Sequence, residues 1–285
     1  MPEARSHRRL FESLARVDVQ SLERLRSTVR LLKKDDSISA LLKACNEIGE
    51  AYLFGGLVRD ALLGSSGVFG DVDIFVSGPL DEQTAEQVSR VHRRTNFGGM
   101  RLVVGRYDVD IWELARSVAF RFEHGREKSV RGLLSSVCFS TDAVAVSLLT
   151  GRLLADSSFN RTVKTKIFEF VSRPSAIEIL QVVRVGRICV KNGVRPNRDI
   201  SKYFVDGVDA FGVSGLIAAE QKWKGRRLLD ERIVRILDQW CRASISSDFD
   251  LDGPHFGGDS LFASSAPKKA SEQLTWSARN WDGGS

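Results

Sequence analysis

The chain has 285 residues, 42% of them hydrophobic and 27% charged, an ordinary balance for a globular protein of one large domain or two modest ones. Its 42 basic and 36 acidic side chains leave a formal charge of +6, which permits a polyanionic partner without demanding one. No apolar run reaches the length of a bilayer span and no signal-peptide core follows His7, Arg8 and Arg9, so a cytoplasmic protein with no membrane partner is expected.

Apolar residues at three- to four-residue spacing, among them Leu10, Leu14, Leu22, Leu25, Val29 and Leu32, predict helix from about Ser6 to Gly49, with Asp36 or Ser37 capping a second segment through Leu41, Leu42 and Ile48. Tyr52-Leu53-Phe54 reads as a short strand ending at Gly55-Gly56, followed by a helix over Val58–Leu63 that Gly64 closes. Val72–Val76 is a second strand and Asp81–Arg94 a helical stretch. Leu102-Val103-Val104 and Val109-Asp110-Ile111-Trp112 form a hairpin about Gly105-Arg106, and Ala143–Leu148 pairs with Leu153-Leu154 through Thr150-Gly151. Pro174 opens a helix from Ser175 to about Lys191, stopped by Asn192-Gly193, and helices continue to about Ser244. The remainder is rich in Ser, Gly and Asp and ill suited to a core. The expected organisation is helices over 1–50, a mixed α/β unit over 51–172, helices over 173–245 and a tail over 246–285.

Cys45, Cys138, Cys189 and Cys241 form no CxxC pair, and His7, His92, His124 and His255 no HxxxH pair, which argues against a zinc centre or a disulfide framework. The chemistry lies in the aspartates. Asp71 and Asp73 stand two apart on an otherwise apolar strand, so both project from one face. Two carboxylates on a rigid strand can hold Mg²⁺ against a nucleoside triphosphate. Upstream, Gly55-Gly56 lies between strand and helix, where a backbone free of Cβ atoms can approach phosphate oxygens, and Arg59 follows in the first helical turn. Downstream, Asp108 and Asp110 share a strand face; Asp110 is the preferred third carboxylate and proton acceptor, with Asp108 in reserve.

The run Tyr52-Leu53-Phe54-Gly55-Gly56-Leu57-Val58-Arg59-Asp60-Ala61-Leu62-Leu63-Gly64, then Gly70-Asp71-Val72-Asp73-Ile74, resembles the head motif of CCA-adding enzymes and bacterial poly(A) polymerases. The resemblance covers about a third of the chain. It implies an α+β, polymerase-β-like nucleotidyltransferase head with a small mixed sheet, helices before it and a helical neck after it. It also implies Mg²⁺ dependence and attack of an RNA 3′-hydroxyl on a nucleotide α-phosphate. Phe139-Ser140-Thr141-Asp142-Ala143 is similar to the segment that ends that head, with Asp142 where the family carries asparagine. Arg184 and Arg187 match neck-helix arginines, and the family's nucleotide-reading aspartate and arginine fall on Glu178 and Gln181. Glutamine offers one carbonyl and one NH₂ in place of a five-donor fork.

Arg184, Arg187 and Lys191 share one helical face that either meets RNA phosphates or is simply solvated. Lys222, Lys224, Arg226 and Arg227 surround Trp223, either as a base-stacking platform or as snorkelling neighbours of a half-buried ring. The leading expectation is template-independent transfer from a nucleoside triphosphate to an RNA 3′ end, tRNA being the first candidate. The alternatives are a toxin- or defence-type enzyme that modifies a protein or small molecule, and a catalytically degenerate RNA-binding module.

Overall fold

The computed structural model describes residues 17–64, 71–80, 92–95, 99–117, 120, 127–225 and 227–246. Helices α1 (Val19–Lys34) and α2 (Asp36–Ile48) come first. Asp18 caps α1 by accepting the Ser21 N–H at 2.8 Å, and Lys33 and Lys34 sit in its last turn, where the helix dipole favours cations. The cap of α2 is Asp35 and not Asp36 or Ser37, because the Asp35 carboxylate accepts the Ser37 N–H.

There follow β1 (Ala51–Phe54), α3 (Gly56–Leu63), β2 (Val72–Val76), β3 (His92–Arg94), β4 (Met100–Val104) and β5 (Tyr107–Glu113). Next come α4 (Val130–Leu134), β6 (Val144–Ser147), β7 (Leu153–Ala155), α5 (Ser157–Thr165), β8 (Ile167–Phe168), α6 (Ile179–Asn192), β9 (Arg195–Pro196), α7 (Arg198–Lys224) and α8 (Glu231–Ser246). Two expectations need correction. His92–Arg94 is an edge strand paired with β4, not the end of a helix; residues 81–91 of that expected helix lie outside the described residues, as do residues 6–16 and the tail from 247. The neck helix starts at Ile179 and not Ser175, because the Glu178 N–H is drawn to the Tyr203 hydroxyl at 2.9 Å, leaving Glu178 extended as the N-cap.

The main sheet runs β3-β4-β5-β2-β1-β6-β7. Every neighbouring pair is antiparallel except β2 and β5, which are parallel. Because side chains alternate across a strand, the sheet has two unlike faces. Leu53, Val72, Ile74, Val76, Leu102, Val109, Ile111, Val144 and Val146 pack with Leu25, Leu32, Ile38, Leu41 and Leu42 of α1 and α2 and Leu57, Val58 and Leu62 of α3 in one core. The opposite face carries Tyr52, Phe75, Ala145 and the ring of Trp112 at one end; aspartates occupy the other. The first helices are thus the covering layer of the sheet.

A second core joins α6, α7 and α8, and Leu63 and Phe139 from the α/β unit enter it. Within it Glu220 is fully buried; it accepts from the Arg187 guanidinium and from the Leu228 and Leu229 N–H groups at 3.0 and 2.8 Å. A buried carboxylate is tolerated only when saturated in this way. Removing it strands the Arg187 charge and two backbone donors, so Glu220→Ala is expected to cost about 3 kcal/mol. Urea unfolding measures this, and a loss below about 1 kcal/mol would mean that water replaces the carboxylate freely.

Candidate active site

The site follows from strand register. Parallel pairing places Asp73 of β2 beside Asp110 of β5, and antiparallel pairing places Phe54 beside Asp73 and Arg101 beside Asp110. Ala145, Phe54, Asp73, Asp110 and Arg101 therefore form one row across five strands, all on the face away from the main core. Asp71 lies just before β2, near enough to Asp73 that its charge helps to raise the Asp73 carboxyl. Asp110 is buried and Asp108 exposed, which puts Asp110 in the row and leaves Asp108 facing solvent opposite Val103.

Two of the three carboxylates already have a cation. Arg101 donates to both oxygens of Asp110, from Nε at 2.7 Å and Nη2 at 2.5 Å, the forked geometry that arginine favours. Lys224, at the end of α7, donates to Asp71 at 2.5 Å. No hydrogen-bond donor reaches Asp73 among the described residues. Burial, then the neighbouring Asp110 and Asp71 charges, push its carboxyl up to about 7.

Gly55 has φ of 68° and ψ of −137°, and a Cβ built on it would stand 2.8 Å from Asp73 Oδ2. A side chain is excluded there both by backbone strain and by the carboxylate. The turn brings the amide end of α3 next to the aspartate row, as a phosphate cradle requires.

Behind it lies a buried polar network that joins α3 to α6. Arg59 donates to Asp60 at 3.0 Å and to Asp142 at 2.6 Å, and Arg184 donates to the other Asp142 oxygen at 2.7 Å. Asp60 also accepts from Lys191 and from Asn192. Burial opposes ionisation of Asp60, but Arg59 and Lys191 outweigh it and hold the carboxyl below the usual range. Three cations share two carboxylates, so the network carries a net positive charge beside the glycine turn. Arg184 is 34% exposed and Arg59 13%, so Arg184 is the accessible donor.

The structure thus brings together Asp71, Asp73, Asp110, Gly55, Gly56, Arg59, Asp142 and Arg184. It does not bring Arg187, whose guanidinium is spent on Glu220. Lys191 is turned to Asp60. Glu178 is exposed at the start of α6; one turn on, Gln181 has a buried Oε1 without a partner among the described residues. Lys224 lies over the Trp223 ring at 4.4 Å, while Arg226 falls outside the described residues. Two residues at the site were not singled out for it from sequence. Arg101 was derivable, since a two-residue turn at Gly105-Arg106 sets it opposite Asp110. Lys224 was visible only as one of a basic cluster, and nothing local ties it to Asp71, 153 positions away.

The donor set consists of carboxylate oxygens, the ligands that Mg²⁺ takes. Among the described residues no three acidic groups stand close enough to share an ion. Asp71 and Asp73 fit one, given the only partly compensated Asp73 carboxyl, and Asp110 stays with Arg101.

No protein-family profile matches the chain, and no curated protein matches it in sequence. Solved structures do match it in fold. A tRNA nucleotidyltransferase complexed with a primer tRNA and an incoming ATP analogue superposes with a TM-score of 0.51 at 23% identity, over 74% of this chain and 63% of that one. A CCA-adding enzyme with CTP gives 0.53 at 18% identity, over 77% and 55%. The Thermotoga maritima CCA-adding enzyme complexed with tRNA gives 0.53 at 17%, over 82% and 55%. The chain shares the fold of these tRNA nucleotidyltransferase and CCA-adding enzyme structures, and it spans between 55% and 63% of their length.

The Asp73 environment has a consequence for stability. Its carboxyl titrates near 7 in the folded state and near the ordinary value of about 3.9 in the unfolded chain. Between those values the folded state binds more protons, so this group's contribution falls as pH rises. In metal-free buffer Asp73→Asn is expected to melt about 3 °C higher than wild type at pH 8, with the advantage fading towards pH 4. Thermal melts across that range check it; a difference independent of pH would remove the electrostatic cause.

Proposed function

We propose that the protein is a template-independent nucleotidyltransferase that transfers nucleotides from a nucleoside triphosphate to an RNA 3′ end, with tRNA the first candidate acceptor. The observation that carries this reading is the row of aspartates on an open sheet face, set against a glycine turn and a positively charged network. The fold match to structures that hold tRNA, CTP or an ATP analogue supports RNA and nucleotide as partners.

The residues take the following roles in this reading. Asp71 and Asp73 hold the metal, and a Mg²⁺ there would neutralise phosphate charge and acidify the attacking hydroxyl. The amides after Gly55 and Gly56 and the outward side of Arg184 receive the triphosphate, with Arg59 behind them as a fixed charge. Asp110, oriented by Arg101, adds negative charge beside Asp73; its expected role as proton acceptor requires the Arg101 fork to open, since both oxygens are occupied. In the transfer, the 3′ oxygen bonds to the α-phosphorus, the bond from that phosphorus to the bridging oxygen breaks, pyrophosphate leaves and the hydroxyl proton departs to a base or solvent.

Base selection falls to the start of α6. The buried Gln181 Oε1 lacks a donor, and a nucleobase amino group would satisfy it, with Glu178 offering a second acceptor one turn earlier. The exposed side of Arg184 contributes charge available to RNA phosphates, and the expected part of Lys191 requires it to leave Asp60.

Incubation with Mg²⁺, each labelled nucleoside triphosphate and total RNA tests the reading. Wild-type protein is expected to label RNA, and Asp71→Ala and Asp73→Ala to lose at least about a thousandfold in rate while keeping wild-type circular dichroism. Label found on protein and not on RNA would keep the chemistry and change the acceptor. Retained activity in either variant would end the assignment.

A further inference from the structure

The contact between Lys224 and Asp71 joins the last residue of α7 to the residue that precedes β2. It is local neither in sequence nor in fold, yet its backbone is well fixed. Glu220, one turn earlier, is locked into the second core by Arg187 and two backbone N–H groups. The helix ends at Gly225 with φ of 65°, whose N–H donates to the Gln221 carbonyl and whose carbonyl accepts from the Gln221 side chain at 3.0 Å. The chain therefore delivers Lys224 to one place, and only the lysine stem is free to move.

Three features distinguish this cation from Arg101. Lys224 makes a single point contact, whereas Arg101 grips Asp110 with a two-bond fork. Its ammonium lies between the Asp71 carboxylate and the face of the Trp223 ring, 4.4 Å from the ring centre. Its side chain is 24% exposed, and that of Asp71 38%, so solvent reaches the pair and an ion could enter from that side. The Lys224 charge also acts on Asp73, where it offsets part of the repulsion from Asp110 and Asp71.

We propose that Lys224 is the internal counter-ion of the site, which a divalent cation displaces when it loads onto Asp71 and Asp73. The inference rests on the assignment of those two aspartates as metal ligands. Lys224 occupies Oδ2 of Asp71; an ion that takes this oxygen displaces the ammonium, and the repulsion between two cations at a few ångströms disfavours joint occupancy of the carboxylate. In the metal-free state Lys224 lowers the cost of two adjacent carboxylates on a half-buried strand. On loading, the ammonium leaves Asp71 on its four-carbon stem while α7 stays anchored through Glu220. Lys224 thereby weakens metal binding, and Trp223 reports its position.

Mn²⁺ binding, followed by electron paramagnetic resonance of the free ion, tests this without any turnover. Lys224→Met is expected to bind Mn²⁺ about fivefold tighter than wild type, and the gain should largely vanish when the same change is made in Asp71→Asn. Mg²⁺ is expected to change wild-type tryptophan emission, and Trp223→Phe to abolish the change. Equal or weaker Mn²⁺ binding by Lys224→Met, with circular dichroism unaltered, would overturn the proposal while leaving the metal site standing. An emission change that persists in Trp223→Phe would also count against it. No Mn²⁺ binding by wild type or by Lys224→Met at millimolar concentration would remove the metal assignment itself, and this inference with it.

Discussion

The parallel pairing of β2 with β5 is the constraint on which the site depends. In an otherwise antiparallel sheet this one pair sets Asp73 and Asp110 in register with both side chains on the same face. Two carboxylates in that arrangement repel one another, and the remainder of the site answers that repulsion. Arg101 comes from the next strand and Lys224 from the end of a distant helix, and Asp73 between them is compensated only in part, by the Lys224 and Arg184 charges. On the opposite face β2 presents Val72, Ile74 and Val76, and β5 presents Val109 and Ile111, to the main core. A strand of alternating residues thus carries the core on one side and an aspartate on the other, which is why Val72 and Ile74 flank Asp73 without any local contradiction.

The helical neck is built into the site through polar contacts as well as through its own core. Asp142 receives Arg59 from α3 and Arg184 from α6, and Asp60 receives Lys191 and Asn192 from the end of α6. Such contacts specify geometry more than they stabilise, since each buried charge must be desolvated before it is paired. They hold α6 in one orientation against α3, with Gln181 one turn before Arg184. A carboxylate at 142 can accept two arginines at once; the asparagine of the resembling family would offer a single neutral carbonyl to the same pair.

Much of the fold was legible in the residues. The strands, the two hairpins, the helix after Gly55-Gly56 and the glycine stops are present as expected, because they rest on local periodicity and on turn chemistry. The shared face of each aspartate pair was legible from its i, i+2 spacing, whereas the row that sets Asp73 beside Asp110 depends on the pairing of β2 with β5. What was not legible depends on contacts distant in sequence. Ser175–Glu178 reads as helix until Tyr203 takes the Glu178 N–H. Arg187 reads as a member of a basic face until Glu220, 33 positions on, claims it. His92–Arg94 continues a helical pattern until the hairpin edge beside it offers a ladder to join. In each case a tertiary partner outcompetes a local preference.

The charge balance of the sheet face explains why the fold keeps a feature that costs it stability. Around Asp71, Asp73 and Asp110 stand the Arg101 and Lys224 cations, one fewer than the carboxylates they serve. The deficit falls on Asp73, the residue packed against Gly55 and placed at the middle of the row. A protein built for stability alone would fill that position with valine or isoleucine, as at Ile74 and Val72 beside it. Burial and the flanking carboxylates raise the Asp73 carboxyl to about 7, so an aspartate there costs the fold stability as pH rises, a cost that the metal-holding role proposed above would offset. The same reasoning separates the two flanking cations. Arg101, placed by strand register, holds Asp110 through a two-bond fork, whereas Lys224 holds Asp71 through a single contact on a flexible stem, the kind of balance that the proposed metal would exchange.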